Sequence, residues 1–172
     1  MIIVGCGKSK LARSAPAREL YTGSLFRLAR RYAELSGQDW VVLSGGHGVI
    51  APDVIIAPYD QGLPETAAGL QRWAATAALV IEQRRGTDRV GLLLGQSVEI
   101  LAGASYAQPL ARELEKLDIE STQPLAGLGT GRRLQRLRQM AEVLQALRDS
   151  RWEKGKKRDD RCGDDSVHSR RG

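Results

Sequence analysis

A thiol and two amines, Cys6, Lys8 and Lys10, follow closely on one another in a turn that ends the apolar run Met1-Ile-Ile-Val-Gly5. A thiol or an uncharged amine attacks electrophilic carbon, and a charged ammonium neutralises phosphate. A strand ending in such a turn delivers these groups at its tip, where open α/β sheets hold their ligands. Lys10, next to a second cation at Lys8, reads as an amine nucleophile or as a point charge for phosphate. Cys6 reads as a catalytic thiol or as a small residue packing the strand end. His47 stands in the glycine turn Gly45-Gly46-His47-Gly48, which suits ligand contact or proton transfer better than burial in a core. Cys6, Lys10 and His47 are therefore the expected catalytic set.

Around them, Gly7, Lys8, Ser9, Ser44, Gly45, Gly46, Gly95 and Gln96 are expected to line a substrate pocket, since each lies in a small polar turn after an apolar run. Tyr21 and Tyr59 can stack on a base or pin their loops to the sheet, and Asp60 can accept from a base edge or pair with a lysine. Arg18 has the fork geometry for a phosphate, or pairs structurally with Glu19. Asp53, after Pro52, reads as a turn residue. Gly7-Lys8-Ser9 looks like the end of a phosphate-binding P-loop, but that motif needs a glycine where this chain has Ile2. A looser anion cradle of backbone N–H groups around Gly5 and Gly7 survives.

The chain has 172 residues and a net charge of +6. Residues 151–172 hold eight Lys or Arg and five Asp or Glu, so half of the excess lies there and the remainder is only mildly basic. That length suits one domain, residues 1–150, followed by a polar tail over 151–172 that is expected to be disordered because it has too few aliphatic residues to offset its ordering entropy. The tail is either a solubilising end or an electrostatic tether for nucleic acid. There is no run of about 18 apolar residues and no signal-peptide pattern, which points to a cytoplasmic protein without a membrane partner. Two cysteines, at 6 and 162, and two histidines give neither a disulfide framework nor a set of metal ligands, so no metal and no cofactor is expected.

Stepping along the chain, a strand is expected over 1–6, a loop over 7–23, and a helix over Ser24–Leu35 capped by Ser24. A second strand is expected at Trp40–Ser44, a helix over 65–85, and a third strand at Arg89–Leu94 ending in Gly95-Gln96. Short helices over 97–102 and 107–117, an edge strand within 119–123 and a long amphipathic helix over 131–151 follow. This alternation predicts an α/β fold: a mainly parallel sheet flanked by helices, Rossmann-like and three-layered, with the strand ends and their turns along one edge. The last helix carries Arg132, Arg133, Arg136 and Arg138, a face that either contacts nucleic-acid phosphates or is simply solvated. Gly127, Gly129 and Gly131 before it allow close approach of a ligand.

Four segments, Cys6-Gly-Lys-Ser-Lys10, Ala17-Arg-Glu-Leu-Tyr-Thr-Gly23, Leu43-Ser-Gly-Gly-His-Gly-Val49 and Ala57-Pro-Tyr-Asp60, together with Pro124-Leu-Ala-Gly-Leu-Gly-Thr-Gly131, resemble an uncharacterised family of phage and bacterial genomes. That family is distantly similar to the YaaA peroxide-stress proteins, and the likeness covers roughly residues 1–140. The YaaA group reads Ser-Pro-x-Lys, Ser-Gly-x-Tyr-Gly and Pro-Tyr-Arg, where this chain has Cys6, His47 and Asp60; the resemblance implies a nucleic-acid-binding role. Cys6 to Lys10 is also similar to the Cys-Ser-x-x-Lys segment of archaeosine synthase-like enzymes, with Gly7 in place of Ser, which implies an amine acting on a modified or exposed base. Two readings follow. One is an enzyme acting on a nucleobase or nucleotide, in base modification or repair; the other is a non-catalytic nucleic-acid-binding protein of YaaA-like type.

Overall fold

The aliphatic run at the start of the chain forms β1 (Ile2–Gly5), whose first three residues are fully buried, as expected for β-branched residues in a strand covered on both faces. The structure, a computed structural model, describes residues 1–87 and 97–162, with backbone alone over 86–87 and 151–162. After β1 come β2 (Ala15–Pro16), the one-turn helix α1 (Ala17–Leu20), α2 (Ser24–Ser36), β3 (Trp40–Ser44), β4 (Gly48–Ile50) and β5 (Ile55–Ile56). The chain continues with α3 (Ala67–Thr87), β6 (Val98–Leu101), α4 (Ala104–Glu115), β7 (Ser121–Thr122) and α5 (Thr130–Cys162).

Five strands form one sheet in the order β4-β3-β1-β6-β7, and β2 pairs with β5 in a separate antiparallel ribbon. β3, β1, β6 and β7 run parallel, while β4 folds back antiparallel on β3. Alternation along the strands feeds two cores. Ile2, Val4, Trp40 and Val42 pack with Phe26, Ala29 and Ala33 of α2 and with Leu137 of α5. Ile3, Val41, Leu43, Val98 and Ile100 pack with Ala77, Ala78 and Ile81 of α3 and with Leu110 and Leu114 of α4. Helices therefore cover both faces. The connection from β1 to β3 runs one way along the sheet and that from β3 to β6 runs back past β1. Right-handed crossovers then place α2 and α3 on opposite faces and open a crevice beyond the carboxyl ends of β1 and β6.

The structure corrects several expectations. Residues 98–101 are a strand, not part of a short helix, and Glu99 in it faces the α2 layer, where Tyr32 donates to its Oε2 at 3.0 Å. The strand expected at 89–94, with Gly95 and Gln96, lies outside the described residues. Gly23, not Ser24, is the N-cap of α2, and no side chain caps it. The 7–23 segment contains β2 and α1, and the backbone of α5 stays helical to Cys162, well into the stretch expected to be disordered. No helix among the described residues is long and apolar enough to cross a membrane.

Candidate functional site

A cavity of about 500 Å³ opens at the crevice between the ends of β1 and β6. Its floor is Gly5, Cys6 and Gly7 after β1, together with Leu101, Ala102 and Gly103 after β6. The two strands close tightly there, since a Cβ on Gly5 would stand 2.7 Å from that of Ala102. Lys8 and Ser9 form part of the wall, Tyr106 contributes aromatic surface, and the core residue Phe26 lies beneath. The Cys6 thiol donates to the Tyr106 hydroxyl at 3.8 Å, a long, weak sulfur bond. Burial, with Cys6 beside it, pushes the Tyr106 hydroxyl well above the ordinary phenol range, so it remains a proton donor at neutral pH.

Behind Cys6 lies a run of neutral hydroxyls. Tyr59 Oη sits 2.7 Å from Tyr21 Oη and 2.6 Å from Ser44 Oγ, and Ser44 Oγ also accepts from the His47 backbone N–H at 3.0 Å. Burial is the main reason that both tyrosine hydroxyls are held above their usual range. For Tyr59 the hydrogen bonds from Ser44 and Tyr21 act in the opposite direction, and nearby Cys6 adds to the rise. The Lys10 ammonium lies 4.3 Å from the centre of the Tyr59 ring and donates to the Lys8 carbonyl at 3.3 Å. An ammonium resting on an aromatic face and bonded to a carbonyl is held in place there, which suits a positioning role.

The expected site residues thus divide. Cys6, Gly7, Lys8 and Ser9 line the cavity, while Lys10, Tyr21, Ser44 and Tyr59 form the network behind it. Gly45 and Gly46 serve packing: a Cβ on Gly45 would meet the Gly62 carbonyl carbon at 2.6 Å, and one on Gly46 would meet the Tyr59 ring at 3.1 Å. His47 is the exposed tip of the β3–β4 hairpin, edge-on to Tyr59 with ring centres 4.5 Å apart; positive φ at Gly48 (66°) closes that hairpin. Arg18 is ion-paired with Asp53 at 2.7 Å, which makes Asp53 more than a turn residue, and Arg18 is 3.8 Å from Glu19. Asp60 is exposed.

The arginines at the start of α5 do not share one environment. Arg132 and Arg138 are exposed. Arg136 lies close enough to Tyr32 and Glu99 to favour their ionised forms. Arg133 turns inward: its Nε is buried without a hydrogen-bond partner, and its Nη1 lies 3.8 Å from where a Cβ on Gly103 would stand, at the cavity wall. Sequence reasoning missed Gly103, Ser105, Tyr106 and Thr130, all of which line the cavity. The signal was Gly103-Ala-Ser-Tyr106 after an apolar run, legible only once 98–101 is read as a strand. A family model described as a family of unknown function, DUF6884, matches residues 1–139. No curated protein and no solved structure matches the chain.

Proposed function

Because the chain belongs to that family of unknown function, we propose its activity from the cavity itself: an enzyme acting on a nucleobase or nucleotide, with Cys6 as the reacting group. The observation that carries this reading is a thiol in hydrogen-bond reach of a protonated phenol, inside a cavity sized for a small ligand. Tyr106 offers ring surface for a base. The chemistry that fits is addition of the thiol across a C=N or C=C bond of the base. The S–C bond forms, the π bond breaks, and the thiol proton passes by way of Tyr106 to the ring nitrogen or neighbouring carbon. Lys10 and Tyr59 act as positioning residues behind Cys6. The likeness of Cys6 to Lys10 to archaeosine synthase-like enzymes supports base chemistry, and a Rossmann-like kinship of the sheet would agree with a nucleotide ligand.

The test is mass spectrometry of nucleosides from DNA, tRNA and the free nucleotide pool of cells expressing wild-type protein, Cys6→Ala or Lys10→Ala. A base gained or lost with wild type, abolished by Cys6→Ala and reduced by Lys10→Ala, is expected. Identical profiles for all three would sink the enzyme reading. They would favour instead the nucleic-acid-binding reading of YaaA-like type, which draws on exposed Arg132, Arg136 and Arg138 and predicts affinity that falls steeply with salt.

A further inference from the structure

The bond between the Cys6 thiol and the Tyr106 hydroxyl cannot by itself hold the phenol in place. A thiol is a weak donor, the separation is 3.8 Å, and among the described residues the thiol is the only hydrogen-bond partner of that hydroxyl. The backbone of Tyr106 is fixed, since its N–H donates to the Gly103 carbonyl at 2.9 Å in the first turn of α4. The side chain still has a choice of staggered χ1 rotamers, and a change of rotamer would carry the hydroxyl away from the sulfur. Another contact must therefore hold the ring.

Trp73, a half-buried residue of α3, supplies that contact. Its ring stands edge-on to the Tyr106 ring, with centres 5.7 Å apart and planes at 82°, an arrangement favoured by the aromatic quadrupoles. The indole is itself tied down, because its Nε1–H donates to the Ser44 carbonyl at 3.0 Å. Both rings pack against the core formed by Ile3, Val41 and Leu43 with α3 and α4. Trp73 is not among the residues that line the cavity, so what it does for the thiol it does through Tyr106.

The end of β3 thereby serves the thiol from more than one side. The Leu43 carbonyl takes the Cys6 backbone N–H at 2.9 Å. The Ser44 carbonyl holds Trp73, which bears on Tyr106, and the Ser44 hydroxyl lies 2.6 Å from that of Tyr59. A strand end that fixes both the backbone of the thiol and the support of its phenol sets the geometry between them.

We propose that Trp73 is the positioning residue of the thiol–phenol pair: anchored on the last residue of β3, its indole keeps the Tyr106 hydroxyl aimed at Cys6 from outside the cavity. The inference rests on the reading of Cys6 and Tyr106 given above and adds the residue that holds them together.

The test is alkylation of Cys6 in the full chain by iodoacetamide between about pH 6 and 10, followed by peptide mass spectrometry, which separates Cys6 from Cys162. A phenol that donates to the thiolate favours the form that reacts, so Tyr106→Phe is expected to slow alkylation about threefold near neutral pH. Trp73→Phe, whose shorter ring lacks the N–H that reaches Ser44, is expected to slow it as much, with a rate–pH profile that superimposes on that of Tyr106→Phe. In the double variant the second substitution adds nothing, because both act on one contact. Trp73→Met, a flexible gap-filler without a ring, repeats the comparison if Trp73→Phe melts well below wild type. A wild-type profile in the Trp73 variants would overturn the proposal, since Tyr106 would then stay in place without the indole. A further loss in the double variant would overturn it too, since Trp73 would then act through the fold at large. An unchanged profile in Tyr106→Phe would refute the thiol–phenol pair and the positioning with it. Coupled alkylation profiles alongside identical nucleoside profiles for wild type and Cys6→Ala would support the positioning and refute only the base chemistry.

Discussion

Tyr59 is the residue on which the site's inner network turns. Its hydroxyl is shared by Tyr21 and Ser44, its ring faces Lys10 and His47, and it leaves no room for a side chain at Gly46 in the turn after β3. Tyr21 is only 1% exposed, so Tyr59→Phe takes the 2.7 Å partner from a buried hydroxyl and leaves Ser44 as its remaining one. The expected loss is about 1–3 kcal/mol, read as a lower urea midpoint with an unchanged m-value; an unaltered midpoint would show that the Tyr21 hydroxyl finds another partner. The sequence brings Cys6, Lys8, Lys10, Ser44 and His47 towards one neighbourhood, because strand ends and their turns gather on one edge of a parallel sheet, while Tyr21 and Tyr59 enter only as rings able to stack or to pin their loops. It gave no sign that Lys10 would rest on a ring, since that depends on the path of the 7–23 segment, which β2, α1 and the Lys10–Tyr21 bridge define. Gly45 and Gly46 read as ligand-facing turn residues for a similar reason: a glycine required by a neighbouring backbone looks the same in sequence as one required by a ligand.

At the scale of elements, β6 is where pattern and structure part. A strand whose second residue is a glutamate departs from a continuous apolar run, and its place beside β1 is secured by what Glu99 meets. Tyr32 donates to it, and Arg136 and the N-terminal amine lie close by. Burial nonetheless holds the Glu99 carboxyl above its ordinary 4.5, and it pushes Tyr32 up to about 12, with Glu99 adding to the rise. A raised carboxyl means that the fold prefers the protonated form. The contribution of Glu99 is therefore full below about pH 4.5 and is lost as pH rises through the higher folded value. Glu99→Gln should raise Tm by about 2 °C at pH 7 and leave it equal to wild type near pH 4. A lower Tm at pH 7 would mean that Arg136 and the amine outweigh the cost of burial. Tyr32 titrates too high to contribute anywhere in that window.

Across the whole molecule, the two cores account for the order of elements, and α5 is the member that extends beyond them. At 1.5 Å per residue its 33 residues span about 50 Å against about 20 Å for its partner α2. Ala141 is its last buried residue among those described. Leu137→Ala should cost about 2–5 kcal/mol, whereas ending the chain after Ser150 should change stability by no more than about 0.5 kcal/mol. Thermal melts of the two variants would check both, and a large loss on truncation would show that the distal helix packs on something. The three helix starts at the Cys6 cavity are far apart along the chain, at Gly23, Gly103 and Gly129. A solute seated there would leave a discontinuous isotope-exchange footprint, slowing three short peptides together while the helix middles, already bonded internally, stay as they were. One small molecule would in that way clasp the first quarter of the chain to its second half.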